Sequence, residues 1–138
     1  MIFSKLHNVC FANIEHLDFY NEQSARLCPD SYLKSLIYAL GICPETRRHF
    51  GSIYNEKDKS IVPEAINSGW HTGGSLKVTR LAFQLFTDST PSAFIDLNAP
   101  DIAECKRYSV SDIFCCGYAP LFVEAIKLRY PEYMKECV

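Results

Sequence analysis

The sequence predicts a mainly α fold: a compact single domain of five or six helices over residues 1–138, with one short β segment near 93–97. Three observations predict it. Apolar residues recur at i, i+3, i+4 and i+7 in several segments, the spacing that lines one side of a helix. Glycines, prolines and short polar residues stand between those segments at positions suited to caps and stops. Hydrophobic residues make up 48% and charged residues 22% of the chain, so it can bury a core of its own, and disorder is expected only at its ends.

The elements follow in chain order. Ser4 is read as the cap of a first helix on which Leu6, Cys10, Ile14 and Leu17 share a side. Residues 18–29, "DFYNEQSARLCP", break that spacing and read as a connection. Pro29 or Asp30 opens a second helix with Leu33, Leu36, Ile37 and Leu40 on its stripe, and Gly41 is expected to close it in the left-handed turn. Pro44 and Glu45 suit the first turn of a third helix. "NEKDKSIV" (55–62) reads as a charged surface loop and "PEAIN" as a single helical turn. The clearest helix spans about 74–86, with Val78, Leu81, Ala82, Leu85 and Phe86 on one side, and "TDSTPS" stops it. Residues 93–108 carry no clean period; Ser109 or Ser111 then caps "DIFCC". A last helix runs from Pro120 to about Tyr130, with Leu121, Phe122, Ala125 and Ile126 inward, and Pro131 ends or kinks it.

Charge and apolar patterning exclude several classes of function. A net charge of −2 and a pI near 6.1 offer no basic excess to a nucleic-acid partner. No run approaches the ~18 apolar residues of a membrane span, and "MIFSKLHNVC" lacks the charged start and long apolar stretch of a signal peptide. The seven cysteines are odd in number, so they read as small buried apolar groups in a reducing cytoplasm rather than as a disulfide framework.

One stretch concentrates chemistry. "WHTGGSLKVTR" places the only tryptophan, Trp70, beside His71, then Gly73, Gly74 and Ser75, at the start of the clearest helix. Free backbone N–H groups and the helix dipole attract anions there, and glycines let a ligand approach the backbone. Lys77 and Arg80 follow on one polar side, and Trp70 offers a flat ring for stacking. A phosphate or nucleotide fits such a constellation. The same residues equally make a tight helix start, with Thr72 or Ser75 as cap and Trp70 packed as a staple. The order of a P-loop is missing, and no strand precedes the turn.

Cysteine and metal chemistry find less support. Cys43 precedes Arg47 and Arg48 at a helix start, a setting that lowers thiol pKa, and His7, His16, His49 or His71 would have to serve as base. Cys115 and Cys116 are adjacent, which suits packing better than ligation. His7 and Cys10 stand at i, i+3, but the paired short spacings of a structural zinc site are missing, so neither a metal nor a cofactor is assigned. Aromatic residues reach 13%, with eight tyrosines, and the C-terminal "KLRYPEYMKECV" combines Tyr130, Tyr133 and Met134 with charges as an interface would. Sealing the ends of a small bundle is the alternative use of those rings.

The spacing of "FSKLHNVCF", "YLKSLIYALG", "W-x-T-x-x-S-x-x-x-x-R-L-A-F-x-L-F" and "EAIKLRYPEY" resembles a small uncharacterised family of helical proteins from Firmicutes and their phages and mobile elements. Phe3, Leu6, His7, Tyr38, Leu40, Trp70, Thr72, Ser75, Arg80, Leu81, Ala82, Phe83 and Arg129 carry the resemblance. It implies an accessory protein acting in the cytoplasm of a bacterial host cell. The expected function is non-enzymatic binding of a host or phage macromolecule, a protein before a nucleic acid, in the manner of an inhibitor of a defence system such as CRISPR interference. The alternatives are sequestration of a nucleotide or small anion at residues 70–80 and, third, a cysteine-dependent enzyme. The expected contact residues are Trp70, His71, Gly73, Gly74, Ser75, Lys77, Arg80, Tyr130 and Tyr133.

Overall fold

A computed structural model describes residues 1–5, 8–92 and 102–134 of the chain. Its N-terminus is a β-hairpin where the sequence suggested a helix. β1 (Ile2–Ser4) pairs antiparallel with β2 (Val9–Phe11), in the register Ile2 to Phe11, Phe3 to Cys10 and Ser4 to Val9. Val9 and Phe11 are buried on one side while Cys10 between them is half-exposed, so a period of two outweighs the sparse helical match. Asn8 takes the left-handed conformation (φ 54°) in the connection, which asparagine tolerates better than most residues. Leu6 and His7, placed on a helix by the sequence reading, lie outside the described residues.

The first helix begins nine residues later than expected, capped by Asn13 rather than Ser4, and runs through the segment read as a connection. α1 (Ile14–Leu27) is capped by the Asn13 side chain, which accepts the His16 N–H at 2.9 Å. Only His16 and Tyr20 of this helix are buried, and the polarity of its outer side hides it from a search for apolar stripes. α2 (Ser31–Leu40) starts at Asp30 as expected, and the Asp30 carboxylate accepts the Leu33 N–H at 2.9 Å. Its last six residues are all buried, because α2 is the central helix and packs against α5 and α8. Each fully buried Leu, Ile or Phe contributes roughly 1.5–3 kcal/mol, so this helix anchors the core. Gly41 closes α2 in the right-handed region (φ −79°), contrary to the left-handed turn expected. Its missing Cβ serves contact instead, since an added one would lie 2.8 Å from both the His16 and Phe19 rings.

α3 (Pro44–Arg48) and α4 (Phe50–Ile53) follow, with Pro44 in the first turn as read. The expected charged loop is a small hairpin: β3 (Tyr54–Asn55) pairs with β4 (Ser60–Ile61), and Lys59 adopts φ 53°. Pro63–Asn67 is a single 3-10 turn, as expected. α5 (Gly73–Thr87) buries Val78, Thr79, Leu81, Ala82, Phe83 and Leu85. α6 (Ile102–Lys106) and α7 (Val110–Phe114) are one-turn helices, and Ser109 rather than Ser111 caps α7. α8 (Ala119–Arg129) buries Leu121, Phe122 and Ala125. The fold is thus a mainly α single domain with eight α-helices among the described residues. The β segment expected at 93–97 lies outside them.

Candidate functional site

The start of α5 is a closed network of its own groups. Thr72 Oγ1 accepts the Ser75 N–H at 3.0 Å, and Ser75 Oγ accepts the Thr72 N–H at 2.8 Å, a reciprocal capping box. The Ser75 hydroxyl proton goes to His71 Nδ1 at 2.8 Å, and His71 Nε2–H donates to the Ala65 carbonyl at 2.9 Å. Both ring nitrogens are therefore engaged, in the neutral tautomer. Burial holds the His71 pKa below its ordinary value against the pull of the Ala65 carbonyl, and Arg80 and His49 add to the depression. Trp70 stacks on His49, with ring centroids 4.2 Å apart and planes at 8°, and its other neighbour is the His71 ring at 3.8 Å. The ring that could stack on a ligand is stacked on the protein.

The two glycines differ. An added Cβ on Gly74 would meet Tyr118 Cε2 at 2.9 Å, so this glycine admits the Tyr118 ring. Nothing lies within 4 Å of the same point on Gly73, which borders a cleft of about 170 Å³ with Leu76, Lys77, Arg80, Arg107 and Asp112. The Lys77 ammonium donates to the Asp112 carbonyl on α7. Arg80 forms a fork with Glu104 on α6, at 2.8 and 3.4 Å, and the two side chains are only 13% and 11% exposed. Lys77 and Arg80 thus fasten α6 and α7 onto α5.

Tyr130 and Tyr133 stand elsewhere, at the end of α8. Arg129, which the residue-by-residue reading assigned no role, organises that end. It is buried between the Tyr32 and Tyr130 rings, its guanidinium carbon 3.5 and 4.5 Å from their centroids. Its Nε–H donates to the Leu85 carbonyl at 2.9 Å, and its other arm reaches the Asp88 carboxylate at 3.1 Å, where α5 ends in a left-handed residue. An arginine in a helix's last turn would ordinarily be read as a solvated charge; the flanking tyrosines were the available signal.

An open apolar groove of about 350 Å³ runs beside this arrangement, between α5, α7 and α8. Leu81, Leu85, Phe114 and Ile126 form its floor, with Val110 and Tyr130 also lining it. Val110 is 75% exposed and Tyr133, in the turn after α8, is 78% exposed.

The cysteine expectation is corrected. Cys43 is wholly buried, its sulfur 3.1 Å from Thr46 Oγ1, and burial pushes its thiol pKa up. Arg47 turns instead to the Gly41 carbonyl at 2.7 Å and Arg48 to that of Pro44, so neither activates the thiol. His16 faces the Tyr38 carbonyl, and His7 is outside the described residues. Among the described residues no group of three His, Cys, Asp or Glu is arranged to hold a metal, and no helix is long and apolar enough to cross a membrane.

The chain belongs to a family of unknown function (DUF6075), whose model matches residues 6–137. No curated protein and no solved structure matches it.

Proposed function

We propose that this member of the family is a non-enzymatic binding protein that captures a protein partner in the groove between α5, α7 and α8. The observation that carries the reading is Val110, an aliphatic side chain left 75% exposed on the lip of an apolar groove. An apolar side chain held in water beside an apolar floor favours a partner that covers both. The groove suits an amphipathic helix whose aliphatic residues recur at i, i+3 and i+4. Asp88, with a side chain 51% exposed at the same groove, favours a basic residue at that helix's rim. Tyr130 and Tyr133 supply rings with one wet edge, the form in which tyrosine serves interfaces. A bacterial or phage accessory role inside the host cell, including inhibition of a defence protein, is the setting that the sequence resemblance gives to this proposal.

Affinity capture from a bacterial lysate, with the wild-type protein beside Val110→Asp, tests it. Val110 is exposed, so the substitution leaves the fold intact, as circular dichroism will verify. A protein enriched by the wild type and lost with Val110→Asp supports the groove. Equal enrichment by both removes it.

A second reading, small-anion binding, rests on the cleft that Lys77, Arg80 and Arg107 line beside Gly73. Titration with pyrophosphate decides it: saturable binding weakened by Arg107→Ala supports an anion site, and unchanged binding removes Arg107 from it.

A further inference from the structure

The largest unexplained polar chemistry lies away from both regions. A cleft of about 340 Å³ opens between the end of α1, the start of α2, the β3–β4 hairpin and the end of α5. Leu27, Leu33 and Phe86 give it apolar walls. Tyr54 also lines it, and its position is unusual. The residue is 97% buried by its neighbours, at 3% exposure, with its ring edge-on to Phe86 at 5.8 Å. Yet its hydroxyl makes no hydrogen bond among the described residues. The ring is what is buried; the hydroxyl reaches the open cleft, where water or a ligand atom can bond it.

Two charges share the cleft without pairing. One oxygen of Asp30 accepts the Leu33 N–H, and the other has no partner among the described residues. Lys59 forms no ion pair there either, although it lines the same space. Glu56, the other carboxylate, is held by the Arg26 guanidinium through both oxygens, one of them at 2.6 Å, and is already satisfied. Burial, then the Glu56 and Asp30 carboxylates, raise the Tyr54 pKa, so its phenol keeps its proton at neutral pH. The cleft therefore offers one oxygen of a capping carboxylate, an ammonium and a phenol around an apolar floor.

We propose that this cleft binds a small zwitterion, a free α-amino acid with an apolar side chain. Its ammonium meets Asp30 and the Tyr54 oxygen, its carboxylate meets Lys59, and its side chain lies on Leu27, Leu33 and Phe86. A ligand carrying both charges bridges the two groups that do not reach each other, whereas one carrying a single charge leaves the opposite group unpaired. The volume lies in the range of small-molecule sites. Cys28, exposed and lining the cleft, provides a reporter.

The test uses the whole protein with L-phenylalanine, L-leucine and L-methionine as probes. Controls are phenethylamine, 3-phenylpropionate and N-acetyl-L-phenylalaninamide, which carry the ammonium alone, the carboxylate alone and neither. At least one amino acid is expected to shift the amide signals of Asp30, Tyr54 and Lys59 saturably. It should also slow alkylation of Cys28 by iodoacetamide while Cys105 and Cys115 react as before. Each single-charge control should bind about tenfold more weakly, and Tyr54→Phe and Lys59→Asn should each weaken the amino acid by about tenfold, the scale of one charge-assisted contact. Asparagine tolerates the positive φ at position 59, and phenylalanine keeps the ring contacts, so both variants fold. Absence of saturable binding by all three amino acids overturns the proposal. So does equal binding of phenethylamine, or unchanged affinity in both variants. Val110→Asp leaves this binding untouched, which separates the result from the fate of the protein-binding groove.

Discussion

Lowering the pH from 7 to 4 should destabilise this protein chiefly through His16. The imidazole is wholly buried, its Nδ1 accepts the Ala12 N–H at 3.0 Å, and its Nε2–H donates to the Tyr38 carbonyl at 2.7 Å. Both nitrogens are used by the neutral ring, and the Phe11 and Tyr38 rings enclose it at 5.0 and 4.5 Å. Burial lowers its pKa to about 4, opposed by the Tyr38 carbonyl and assisted by Arg47. In the unfolded chain the value is near 6.5. Above pH 6.5 neither state holds the proton, and His16 contributes no pH dependence. Between 6.5 and 4 the unfolded chain binds a proton that the folded one refuses, so stability falls with pH. Below 4 both states are protonated and the loss is complete. At roughly 1.4 kcal/mol per pH unit, the full loss comes to about 3 kcal/mol. Urea unfolding at pH 7, 6 and 5, with His16→Gln beside the wild type, isolates this contribution before most carboxylates titrate. The wild type should lose roughly 2 kcal/mol more than the variant between pH 7 and 5. His71, also depressed by burial, adds a change of the same sign to both proteins and cancels in the comparison. Parallel losses in wild type and variant would refute the assignment to His16.

Three further outcomes follow from the packing. Gly41→Ala forces a methyl to 2.8 Å from the His16 and Phe19 rings and should cost about 1–3 kcal/mol in urea unfolding; a neutral result would mean that those rings move freely. Arg129→Ala removes a buried guanidinium from the Leu85 carbonyl and the Tyr32 ring, and should cost about 2–4 kcal/mol. Arg129→Lys should recover only part of it, since an ammonium lacks the planar fork, and full recovery would assign the effect to charge alone. Iodoacetamide at pH 7 should modify Cys28, Cys105 and Cys115 in the folded protein and leave Cys43 intact until denaturant is added; early labelling of Cys43, read by peptide mass, would revive a reactive thiol there.

Much of the helical architecture was legible because its helices bury a stripe. α2 and α5 have apolar residues at helical spacing, and both were found with ends correct to a residue or two. α1 was missed because its interior is made of His16 and Tyr20, residue types that carry little weight in an apolar count. The N-terminal hairpin was missed for a related reason. Three-residue strands offer only Val9 and Phe11 as an alternation, whereas Leu6, Cys10, Ile14 and Leu17 fall at helical spacing and pass both of them over. Gly41 shows a different limit. Its place at a helix end suggested backbone conformation, while its actual use is to let α1 rings approach, a tertiary fact that local sequence does not encode.

The start of α5 was ambiguous for a physical reason. A helix N-terminus that binds an anion and one that caps itself use the same small and hydroxyl residues, because both must satisfy the same unpaired N–H groups. What separates them is whether a side chain has already taken those donors. Here the T-x-x-S spacing from Thr72 to Ser75 was the available signal, and the reciprocal pair at 2.8 and 3.0 Å consumes two of them. His71 and Trp70 are committed in turn to Ala65, Ser75 and His49, so the polar groups nearest the turn hold the chain together. Groups left uncommitted are the ones that point to ligands, and they were invisible in sequence. Asp30 caps α2 while Tyr54 and Lys59 belong to the β3–β4 hairpin, and only the packing of α1, α2 and α5 around that hairpin brings them to a common cleft.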